Sequence, residues 1–205
     1  MLKMIKGARV TADTELSEEY KIFDNMISAN VDAERISEVI EKFLEKNCNE
    51  SLFLFIEVPA SLDDETIAET FEDGGVSIET PHNDVYYLDG ISAGAVRELL
   101  DIFSEILIND GLSAFGVGNP QGDEVGKYKY NVMKLYCNDT HKYANIFESL
   151  GIRQTDKLMT AWETFSLDTP GISEKYTDSE GRDVYDIVEI LSKSGLYKAE
   201  QRESE

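Results

Sequence analysis

Cysteine is scarce in this chain. Cys48 and Cys137 are the only two among 205 residues, 89 positions apart, with no CxxC pair and no neighbouring cluster of histidines. That usage speaks against a disulfide framework or a cysteine metal site and fits two reduced thiols in a cytoplasmic protein. Histidine is equally sparse. His82 and His141 stand alone, with no HExxH, and no GxSxG motif is present, so the chain offers few general bases of ordinary pKa. His82 is expected in a turn and His141 near a helix start, as surface or capping residues. Long apolar runs are missing as well: Leu52 to Ile56 falls far short of the ~20 residues of a membrane span. Lys3, Lys6 and Arg9 are followed by Thr11, Asp13 and Glu15 instead of an apolar stretch, so no secretory leader is expected.

With four prolines and neither a repeat nor a low-complexity tract, nothing marks a domain boundary. One domain is expected over residues 1–197, with a frayed tail at 198–205. Bases are the remaining shortage. Nineteen Lys and Arg face 41 Asp and Glu, for a formal charge of −22. A direct nucleic-acid binder must neutralise phosphates with clustered cations, and docking on an anionic leaflet makes the same demand, so neither is expected.

The acid excess is uneven. Residues 12–125 hold 27 acids and 5 bases, a charge equal to that of the whole chain, whereas residues 1–11 and 126–157 each carry +3. Asp63, Asp64 and Glu65, with Glu69, Glu72 and Asp73, crowd one short segment where like charges repel. A solvated face accounts for such a run, and so does a surface that meets a cationic protein.

Apolar spacing predicts helices over Leu16 to Ala29, from Asp32 or Asn30 to Asn47, over Leu62 to Phe71, from Ser92 to Asn109, over Asp139 to Leu150 and over Asp183 to Lys193. Strands are expected at Leu52 to Val58, Val76 to Ile78, Val85 to Leu88, Leu112 to Val117 and Leu158 to Ser166, with one long half-buried strand from Glu124 to Cys137. The elements do not alternate strictly, so the expected fold class is α+β: a single domain with an antiparallel or mixed β-sheet and helices packed against it.

The glycine-rich stretch Gly116 to Gly122 is a poor phosphate loop. Pro120 lacks an amide, Asp123 and Glu124 repel phosphate, and a strand follows where a helix is needed, so a hairpin loop is expected. Asp178 to Asp183 lacks a third ligand before its glycine and the closing glutamate of a calcium loop, which leaves a turn leading into the last helix. Trp162, the only tryptophan, reads as a core or sheet-face residue, with an anchor for a partner as the other reading.

Two segments, Gly122-Asp123-Glu124-Val125-Gly126-Lys127-Tyr128-Lys129-Tyr130-Asn131 and Thr160 to Ser166 with Pro170-Gly171 beyond it, resemble immunity proteins of bacterial polymorphic and contact-dependent toxin systems. The resemblance spans residues 111–171 and its motifs are structural, with no catalytic residue to carry over. It implies an acidic cytoplasmic protein that binds a cognate toxin domain and occludes its active site or substrate groove. The acidic 12–125 region suits a basic toxin domain, such as a nuclease. The expectation is therefore a non-enzymatic inhibitor with neither cofactor nor metal. Asp63, Asp64, Glu65, Glu69, Glu72 and Asp73 are its candidate partner-binding acids, and Tyr86 and Tyr87 its aromatic anchors. The competing readings are a small metal-dependent carboxylate hydrolase or transferase, and an acidic adaptor without inhibitory action.

Overall fold

The computed structural model describes residues 1–60 and 82–203. The chain opens with β1 (Ala8–Val10) and a hairpin of β2 (Glu19–Ile22) and β3 (Met26–Asn30), followed by α1 (Ile36–Lys46). Next come β4 (Leu52–Pro59), β5 (His82–Ile91) and α2 (Ala93–Asn109). A meander of β6 (Ala114–Gly118), β7 (Glu124–Lys127) and β8 (Val132–Tyr136) leads into α3 (Thr140–Ser149). The short strands β9 (Arg153–Gln154) and β10 (Gly171–Ser173) precede α4 (Val184–Ser192) and the last strand, β11 (Tyr197–Glu203).

Among the described residues nine strands form one sheet in the order β11-β5-β4-β6-β7-β8-β3-β2-β9, and β1 pairs with β10 in a small second sheet. Every pairing in the large sheet is antiparallel except β2 with β9. The molecule is a single α+β unit with a mixed sheet. Register sorts the strand residues onto two faces, because successive side chains alternate. Leu54 pairs with Val117 and Ile56 with Phe115, while Val125 and Lys127 of β7 stand opposite Leu135 and Met133 of β8. Ile27 and Ala29 of β3 extend this row. The helices cover this face: Phe43 of α1 stacks on Tyr143 of α3 at 5.4 Å, and Tyr20 of β2 stacks on Phe147 of α3 at 5.3 Å.

The helices form where apolar spacing and caps agree. In α1 the residues Ile36, Val39, Ile40, Phe43 and Leu44 are buried on one side. The Ser92 side chain accepts the Ala95 amide at the start of α2, and Asp183 accepts the Tyr185 and Asp186 amides at the start of α4. The loop from Gly118 to Asp123 uses its amides internally: Asn119 Oδ1 accepts from Gln121 N and Asp123 N, as a hairpin connection should. Asp178 Oδ1 likewise accepts the Glu180 and Arg182 amides in the turn before α4.

Several expectations are corrected. Leu16 to Ala29 contains no helix; it folds as β2 and β3 around a turn at Asp24-Asn25, where Phe23 N donates to Met26 O. Tyr20 and Ile22 pair with Ala29 and Ile27, so a period of two prevails over the helical spacing of Tyr20, Phe23 and Ile27. The run from Glu124 to Cys137 is two strands, β7 folding back onto β8 through Lys129–Asn131, where Tyr130 and Asn131 have φ of 56° and 63°. Leu158 to Ser166 is no strand: Ala161–Thr164 forms a single 3₁₀ turn, fixed by a capping box between Thr160 and Glu163. The tail through Glu203 is ordered in β11, held by antiparallel pairing with β5. His82 begins β5 instead of sitting in a turn. The helix expected at Leu62 to Phe71 and the strand at Val76 to Ile78 lie outside the described residues.

Candidate functional site

Asp63, Asp64, Glu65, Glu69, Glu72 and Asp73 lie outside the described residues. Tyr86 and Tyr87 are neighbours on β5 and therefore point to opposite faces of the sheet. Tyr86 packs against the helix-covered core. Tyr87 lies on the other face, its ring edge-on to Phe53 at 5.4 Å and its hydroxyl accepting from Arg202 at 3.1 Å. Burial pushes the Tyr87 phenol up.

Acids also line the outer surface of two adjacent helices. On α1 the positions of Glu38, Glu41 and Glu45 follow one another at helical spacing, and on α2 so do Glu98, Asp101 and Glu105. Arg97 of α2 grips Glu41 of α1 with two nitrogens, its Nη2 at 2.7 Å, and so fixes the spacing of the two rows. Within the α2 row Ile102 is 60% exposed, an apolar side chain in an acidic surround. Glu105 pairs with Lys6 at 3.1 Å and accepts from the Tyr176 hydroxyl at 2.7 Å, which holds its carboxyl below the usual range. Lys42 and Lys46 interrupt the α1 row.

The sheet face away from the helices carries a different chemistry. Around its centre β6 and β7 present Gly116, Gly118 and Gly126 there, and aromatic rings lie flat in the space that Cβ atoms would occupy. A Cβ on Gly118 would stand 2.3 Å from the Phe53 ring, and one on Gly116 would stand 2.5 Å from that of Phe55. This aromatic tier is continued by Tyr87 and Tyr128. Arg202 of β11 reaches over it to Glu57 at 3.3 Å. Burial pushes the carboxyl of Glu124 and the phenol of Tyr128 upward.

Beside this tier the face sinks into a cleft of about 530 Å³. Small residues, Ser28, Ser113, Ala114 and Val132, are part of its lining. Glu57, Asn83 and Arg202 close one end. Lys129, Lys134, Tyr128 and Tyr136 form the other, with Lys134 Nζ 4.7 Å from the centre of the Tyr128 ring. The 3₁₀ turn supplies the wall: Trp162, 43% exposed, stands edge-on to Tyr130 at 5.0 Å and to Phe165 at 5.5 Å. Trp162 is thus a rim residue on a turn, in place of the sheet-face position expected of it. The segment holding this turn is tied to the sheet by Asn30, whose Nδ2 donates to the Met159 carbonyl at 2.8 Å.

Among the described residues three cations and one acid line this cleft, in a chain whose acids outnumber its bases two to one. Reading the sequence for function passes over the cleft, because its lining comes from β3, β4, β5, β6, β8, β11, the fold-back between β7 and β8, and the 3₁₀ turn. The trace it leaves is the positive balance of residues 126–157, which include Lys129 and Lys134. Among the described residues no three His, Cys, Asp or Glu side chains converge where they could hold a metal ion, and no helix is long and apolar enough to cross a membrane. No family model, no curated protein and no solved structure matches this chain.

Proposed function

We propose that this chain is a non-enzymatic binding protein that neutralises a cationic protein domain by covering its working surface. The observation that supports the reading most directly is the pair of acidic rows on α1 and α2, set in register by the Glu41–Arg97 clamp around exposed Ile102. Such a surface gives an approaching basic domain a steering field and an apolar contact point. The resemblance to immunity proteins of bacterial toxin systems makes a toxin domain the partner class, and the acids from Asp63 to Asp73 add to the chain's negative charge. Capture is electrostatic and inhibition steric, so no bond is made or broken by this chain.

The test uses the basic C-terminal domain of a toxin encoded beside this chain's gene. Charge reversal at Glu98 and Asp101, and separately at Asp63 and Asp64, is expected to slow association by about tenfold and to flatten its dependence on salt. Stopped-flow association at several ionic strengths gives both quantities, and an assay of the toxin's own activity separates inhibition from mere binding. On-rates that stay the same for both double variants would remove the acidic surface from the encounter and with it this reading.

A further inference from the structure

We draw no further inference here: the strongest candidate, the surface patch of exposed Met159, Trp162 and Leu167 on and beside the 3₁₀ turn, carries no proposal because nothing in the structure shows what covers it.

Discussion

Asn131→Ala is expected to lower the unfolding free energy by about 4 kcal/mol, the largest loss from any single truncation proposed for this protein. Asn131 is fully buried at the fold-back between β7 and β8. Its Oδ1 accepts the Ile5 amide at 2.9 Å, and its Nδ2 donates to the carbonyls of Lys3 and Val31, each at 2.8 Å. Removing the side chain breaks three hydrogen bonds, each worth ~1 kcal/mol or more, and leaves the Ile5 amide and the Val31 carbonyl without that partner, while the Lys3 carbonyl keeps the Ala33 amide. It also forces alanine into a left-handed conformation that asparagine tolerates and alanine resists, at ~1 kcal/mol. Asn131→Asp should be nearly as damaging, because a carboxylate oxygen would face two carbonyl oxygens. Urea unfolding measures the loss, and amide exchange at Ile5 shows whether the N-terminal segment detaches first. A loss under about 1 kcal/mol would mean the three bonds are replaced by water at little cost.

Lys127 should give the protein an unusual gain in stability on the alkaline side. The amine is fully buried on the helix-covered face, donating to the Asp110 carbonyl at 2.5 Å and to that of Ser113 at 3.2 Å. Burial lowers its pKa from 10.5 to about 8, with the nearby Asp110 charge opposing the shift. Between these values the unfolded chain keeps a proton that the folded chain has already released, so stability rises with pH, by up to roughly 3 kcal/mol from this group. Below about pH 8 both states are protonated and the contribution is flat. Above pH 10 stability should fall again, because burial raises the Tyr20 phenol to about 12 and pushes that of Tyr128 up as well, so the unfolded chain then ionises first. Unfolding free energies measured from pH 7 to 11 are expected to peak near pH 10. In Lys127→Met the rise should vanish while the fall remains. Parallel curves for the two proteins would show that Lys127 keeps an ordinary pKa in the folded state.

Reading the chain for periodicity located α1, α2, α3 and α4, because each buries one apolar stripe and carries its own capping or stop residues. The apolar run of β4, flanked by a turn and Pro59, was equally legible. The failures share a cause. β2, β3, β7 and β8 are four or five residues long, too short for local pattern to outweigh pairing, and each takes its conformation from the strand beside it. Lys127 shows the same limit at one residue: it falls within the single half-buried strand expected from Glu124 to Cys137, and only the register of β7 shows that it is turned inward and fully buried. β11 looked like a charged tail, and pairing with β5 orders it.

Composition and local spacing were enough to establish an acidic α+β chain, its helices with their caps, and the uneven placement of its charge, since those properties reside in single residues and their near neighbours. The cleft belongs to the other category. Ser28, Glu57, Lys134, Trp162 and Arg202 are separated by long stretches of chain and share a wall only because strand order and register bring them to one face of one sheet. The energies that set this order come from long-range pairing and burial, which no short window of residues contains.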